Sequence, residues 1–227
     1  MCIRDRDYGG APNDYEKLRT ICDKNGLKLI ADCAHCLDGQ YAGKPITEYA
    51  DFTIYSFQAI KTITSGDGGM LITRDRKTTE KAKRIRWFGI DRVDKQKGIW
   101  ENDITELGYK YQMNDISACI GLASLEEFED IQSHRRSLGK HYIKELGKLS
   151  ENIIEKSLIL GQFTPWLITI DTKGYRIKLM KHLRSHGVES AQVHYRNDRY
   201  SIFKPFVDRT FPNMDIIENN YLVLPIH

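Results

Sequence analysis

The chain has 227 residues, with Lys+Arg 34 against Asp+Glu 31, 41% hydrophobic and 29% charged side chains, and a mean hydropathy of −0.49. That is the composition of an ordinary globular protein with room for one large domain or two modest ones, and it excludes a disordered chain. A net charge of +3 is too slight to mark a nucleic-acid binder, and no apolar run reaches the length of a membrane span. The opening, Met-Cys-Ile-Arg-Asp-Arg, lacks the apolar core of a signal peptide, so a reducing cytoplasm is the expected compartment.

In chain order, Asn13 to Asn25 reads as a helix stopped by Gly26, followed by a buried strand over Leu27 to Ala31 that ends at Asp32. Asp51 to Phe57, β-branched and aromatic, reads as a second strand, and Gly69 to Thr73 as a third. Thr78 to Phe88 reads as a helix whose basic run, Lys77 to Arg86, faces solvent. Asp91 to Lys110 is polar and reads as loop. A long helix is expected from Asn114 or Asp115 as N-cap, continuing after a bend over His134 to Leu149. Beyond it the pattern predicts a strand at Trp166 to Ile170, a helix at Lys173 to His186 stopped by Gly187, and a strand at Val188 to Tyr195. Short strands alternating with helices predict an α/β class with a mostly parallel sheet, followed by a small α+β unit.

Both ends look unfinished: the chain opens in a Gly/Pro loop and closes on Tyr221 to His227, which reads as an interior strand. A truncated chain is the expected account, with the first six residues separable from the native protein.

The five cysteines, Cys2, Cys22, Cys33, Cys36 and Cys119, suit neither a disulfide scaffold nor, without a second Cys pair, a zinc site. Cys33 and Cys36 have the spacing of a redox pair, against which stands the plainer reading of small side chains lining a buried turn.

The chemistry gathers in one stretch. Asp32 sits at a strand's C-terminal end, where α/β sheets present ligand-binding groups. Lys61 follows the next strand within Ser56-Phe-Gln-Ala-Ile-Lys61, and Gly66, Gly68 and Gly69 then permit a tight turn. A partly desolvated amine attacks carbonyls, and an acid can hold a charged heterocyclic nitrogen; pyridoxal phosphate requires that pair of groups. Taken singly, Lys61 reads as a solvated loop lysine, and Asp32 equally as a helix or turn cap at a strand end or a cofactor ligand; the two in register favour the cofactor.

Ile30-Ala-Asp-Cys-Ala-His35, Ser56-Phe-Gln-Ala-Ile-Lys61, Gly66-Asp-Gly-Gly69 and Gly108-Tyr-Lys-Tyr-Gln-Met-Asn-Asp115 together resemble, in order and spacing, the DegT/DnrJ/EryC1/StrS aminotransferases. The resemblance runs from about Tyr8 to the C-terminus. It implies part of the large domain of a fold-type I pyridoxal-phosphate aminotransferase over 1–132, and a small, truncated C-terminal domain over 133–227. It also implies a cytoplasmic homodimer that moves an amino group from an amino acid, usually glutamate, to a nucleotide-linked keto-sugar for amino-sugar and polysaccharide biosynthesis. No nucleic acid, membrane or metal is implied.

Carried over by position, Lys61 would bind the cofactor covalently and shuttle a proton, and Asp32 would pair with the pyridinium nitrogen. His35 would lie beside the cofactor ring, and Ser56 would donate to its phosphate. Lys110 stands where many relatives carry an Asn that reaches the phosphate of the neighbouring subunit. His194 and Arg196 fall in a region that closes over substrate in relatives. The competing readings are a pyridoxal-phosphate sugar dehydratase, against which Lys61 speaks because some dehydrating relatives carry His there; a different ketone acceptor; a redox or metal module at Cys33 and Cys36; and an inert fragment. Relatives carry an N-terminal part, with a helix N-terminus for the phosphate and a stacking aromatic, that these residues do not contain.

Overall fold

The structure, a computed structural model, describes residues 2–101, 103–149 and 163–227. Residues 150–162, inside the span expected for the C-terminal domain, lie outside the described residues.

The main sheet has four strands in the order β1 (Cys2–Arg6), β2 (Lys28–Asp32), β5 (Phe52–Ser56) and β6 (Gly69–Thr73). β1 and β5 flank β2 in parallel, with Arg6 opposite Asp32 and Asp32 opposite Ile54; β6 then runs antiparallel to β5, with Ser56 opposite Gly69. The ends of the three parallel strands and the start of β6 therefore share one edge of the sheet. The opening residues, separable on sequence grounds, supply β1. A small hairpin, β3 (Gln40–Tyr41) with β4 (Lys44–Pro45), lies between β2 and β5 in sequence.

Helix α1 (Tyr15–Lys24) begins where the Asp14 side chain accepts from Lys17 N, one of the donors a helix start leaves unpaired. Its Tyr15 and Cys22 join Leu29, Ala31, Cys33, Cys36, Ile46 and Ala50 in the first core. Each fully buried aliphatic side chain there is worth roughly 1.5–3 kcal/mol. Helix α2 (Arg76–Arg86) is capped in the same way by Asp75 and buries no residue, as its basic face predicts. The stretch expected as loop contains a short helix, α3 (Arg92–Gln96), because Asp91 accepts from the amides of Val93 and Asp94.

Asn114 caps α4 (Asp115–Glu126), and α5 (Phe128–Gly147) continues after a break at Glu127. A second core is built on Phe163, Ile168, Ile170, Leu222, Leu224 and Ile226, with Leu138, Tyr142, Ile143 and Leu146 of α5 against it. Its two-stranded sheet pairs β7 (Ile168–Asp171) antiparallel with β8 (Tyr221–Leu224), and α6 (Arg176–Ser185) covers it. The strand expected at Val188 to Tyr195 is not one: a single bridge, Ala191 to Val223, is all that segment contributes to the sheet. Helix α7 (Pro212–Asn220), with Pro at its first position, was not expected from the sequence pattern. Among the described residues no helix is long and apolar enough to cross a membrane.

Candidate active site

Asp32 ends β2 with its side chain 4% exposed, and its Oδ2 accepts from Arg6 Nη2 at 2.8 Å and Nε at 3.0 Å. Oδ1 accepts from the Ala34 amide at 3.3 Å. The turn after β2 brings His35 back beneath the same edge. The buried imidazole accepts at Nδ1 from the Gly9 amide at 3.4 Å, which assigns the remaining ring proton to Nε2. Burial first, then the cations Lys61, Arg6 and His194, push His35 down to about 3, so the ring is neutral.

Lys61 rides the loop that joins β5 to β6. The loop folds on itself through Phe57 N to Gly68 O, Ser65 N to Phe57 O and Lys61 N to Gln58 O, each 2.9 Å, and ties to α4 through Thr64 N and Ser124 Oγ at 3.2 Å. The amine lies 4.1 Å from the centroid of the Trp166 ring. Burial lowers its pKa, the nearby Arg6 cation adds to the shift, and Asp32 opposes it. His194 belongs to the same constellation. Its ring meets Tyr8 edge-on at 5.7 Å, and desolvation, then Arg6 and Lys61, lower its pKa.

The structure thus brings Asp32, His35, Lys61 and His194 together. Ser56 ends β5 at the same edge, with its hydroxyl oxygen 3.4 Å from the Gln58 amide. Lys110 is exposed and is bridged through its backbone to Trp87. Arg196 is buried in an ion-pair cluster with Asp198, Asp215 and Glu218, so its guanidinium serves carboxylates of its own unit. Two site members escaped the sequence pattern: Trp166, expected only as the start of a strand, and Tyr8. The one available signal was an aromatic residue beside a Pro or Gly.

The Cys33 and Cys36 thiols are buried. They donate to Asp7 and to the Gly10 carbonyl, and burial raises both pKa values, which suppresses the thiolate that redox or metal chemistry needs. Among the described residues no group of three or more His, Cys, Asp or Glu side chains is placed to hold a metal.

The sequence profile of the DegT/DnrJ/EryC1/StrS aminotransferase family matches residues 3–227. GDP-perosamine synthase of Escherichia coli O157:H7 is 32% identical over 197 residues, covering 86% of this chain and 51% of that protein. The UDP-4-amino-4,6-dideoxy-N-acetyl-beta-L-altrosamine transaminase of Campylobacter jejuni serotype O:23/36 is 26% identical over 227 residues, covering 97% and 59%. Among solved structures, AtS13 from Actinomadura melliaura superposes with a TM-score of 0.87 at 27% identity, covering all of this chain and 61% of that one. The chain spans roughly half to three-fifths of these relatives. With the profile covering nearly its whole length and a shared fold beneath it, this chain belongs to the DegT/DnrJ/EryC1/StrS aminotransferase family.

Proposed function

We propose that the whole protein transfers an amino group from an amino acid, with glutamate the expected donor, to a nucleotide-linked keto-sugar, using pyridoxal 5'-phosphate. One observation carries the reading: a buried carboxylate, Asp32, and a partly desolvated amine, Lys61, meet at one sheet edge and influence each other electrostatically. The donor chemistry fits. Asp32 already accepts from a cationic N–H group, that of Arg6, and a protonated ring nitrogen is a donor of the same kind. When bound, pyridoxal phosphate supplies an aldehyde and an electron-withdrawing ring that stabilises negative charge on a substrate carbon.

The chain's own residues do the rest. Lowering the Lys61 pKa raises the neutral fraction of the amine, the form that attacks a carbonyl and accepts a proton at Nζ, and it makes the resulting ammonium readier to return that proton. The Asp32 carboxylate, which accepts from Arg6, would accept in the same way from the ring N–H and so favour its protonated form. His35, neutral with its proton on Nε2, offers a donor that does not compete as a base. The Ser56 hydroxyl, at the same edge, donates to the phosphate, and Lys110 serves the neighbouring subunit's cofactor. His194 meets the sugar substrate, and Arg196, tied to Asp198 and Asp215, acts by fixing the loop that carries His194. The family resemblance extends the reading to a cytoplasmic homodimer.

Titration with pyridoxal phosphate is expected to turn the protein yellow, and borohydride to fix the label on the peptide containing Lys61. Lys61→Ala is expected to lose that label, and Asp32→Asn to weaken cofactor affinity. Retention of the label in Lys61→Ala, or its attachment elsewhere, overturns the assignment.

A further inference from the structure

Lys61 and His35 come from separate segments of the sheet unit, and the side chain that touches both belongs to neither. Trp166 stands just before β7 in the C-terminal half and is 9% exposed. Its indole stacks on His35 with ring centroids 3.7 Å apart and planes 21° apart, and Lys61 Nζ lies over the same indole. Its Nε1–H donates to the carbonyl of Ile60, the residue before the lysine, at 3.3 Å, and its main-chain amide donates to Gly9 O at 2.8 Å. Building on the function proposed for Lys61, we propose that Trp166 is a positioning residue. Its indole is the platform that holds the amine and the imidazole in register, so that the C-terminal half sets the reach of the reacting nitrogen.

The platform is braced from behind. Thr164 Oγ1 lies 2.8 Å from Asp38 Oδ2, accepts from Arg136 Nε at 3.0 Å, and meets Gln132 of α5. Pro165 packs so closely on α5 that a Cβ added at Gly139 would come within 2.9 Å of its Cγ. Gly10, at φ +97°, leaves the space that the Thr164 carbonyl occupies, where a Cβ would stand 2.6 Å away. Held by α5, by the turn after β2 and by the Gly9–Gly10 loop, the indole has little freedom to choose another rotamer.

The amine and imidazole also face Arg6, Asp32 and His194, with the Tyr8 ring 5.9 Å from His35. Removing the indole opens one face of His35 to water and lets the lysine loop lift from its anchor at Ile60.

The test uses the full chain without cofactor and two readouts: the NMR titration of His35, and acetylation of Lys61 by acetic anhydride, referenced to exposed Lys110 and read by mass spectrometry. In Trp166→Ala the His35 midpoint is expected to rise by at least about one unit toward the ordinary value. Because the indole is part of what desolvates the amine, Lys61 acetylation at neutral pH is expected to fall by about threefold or more. Trp166→Phe, which keeps an aromatic face, is expected to restore both to within about twofold of the unaltered chain. A folded Trp166→Ala protein in which either readout stays put overturns the proposal, since a tryptophan that merely stabilises the fold would lower the melting temperature and move neither. Should that variant fail to fold, Gly139→Ala, which displaces Pro165 from the far side, takes its place: a shift of both readouts in the same directions supports the platform, and no shift overturns it. Failure of the cofactor assignment shows separately, as absence of borohydride-fixed label at Lys61 in the unaltered chain.

Discussion

His35 illustrates how one residue couples the site to the stability of the fold. Its pKa falls from the ordinary 6.5 to about 3, chiefly through burial against Trp166 and the Gly9 amide. A histidine held neutral in the folded state contributes stability that is complete above the unfolded value of about 6.5 and is lost as pH falls from there toward 3. Stability is therefore expected to be about 2 kcal/mol lower at pH 5 than at pH 7 on this account alone. His194 shifts in the same sense, whereas Asp7, raised by burial, acts in the opposite one. The difference between the native chain and His35→Gln, followed by urea unfolding across that range, isolates the effect; parallel pH slopes in the two proteins would contradict it. At this scale the sequence disclosed Asp32 and Lys61 because residue type and strand-end position together specify their chemistry. It could not disclose Trp166, whose partner Ile60 lies 106 positions away and whose role exists only once two cores are packed together.

At the scale of elements, local signals served well where the chain itself supplies the cap. Asp14, Asp75 and Asn114 each accept from an amide three residues on, and Gly26 and Gly187 adopt φ +60° and +75° just past helices. Val188 to Tyr195 misled because strand propensity counts only where a neighbouring strand offers a ladder, and β8 offers this segment one bridge. The glycines after Lys61 divide in meaning. A Cβ on Gly69 would stand 2.6 Å from the Tyr55 carbonyl, which is backbone and cannot swing aside, whereas one on Gly121 in α4 meets Ser65 Cβ at an ordinary 3.4 Å. Gly69→Ala is expected to cost about 1–3 kcal/mol in urea unfolding, and Gly121→Ala to be neutral or stabilising by up to about 1 kcal/mol.

At the scale of the whole molecule, the polar contacts between the two cores gather, among the described residues, at Trp166, which meets Gly9 and Ile60, and at Asp38. Its carboxylate receives the Arg136 guanidinium and the Thr164 hydroxyl from the other half. Because Arg136 is half-exposed, the ion pair itself is worth little, and the larger loss in Asp38→Ala is the acceptor shared by the Arg136 guanidinium and the buried Thr164 hydroxyl, which is left with Gln132 alone. Asp38→Ala is expected to destabilise the chain by about 1–2 kcal/mol and to broaden the unfolding transition as the halves uncouple, as calorimetry would report. The α/β class was legible from alternation; β1 and the joint between the two cores were not, because nothing local marks Asp38 as a partner of residues a hundred positions away. Since β6 reverses direction beside β5, the segment bearing the amine is pinned at two feet, Ser56 and Gly69, that face each other across a single pair of hydrogen-bonded strands. Its span works as a caliper. Lengthening it costs little closure entropy and leaves the strands knitted, yet it would swing the nitrogen off its mark, so the constrained quantity is the number of residues strung between those two feet.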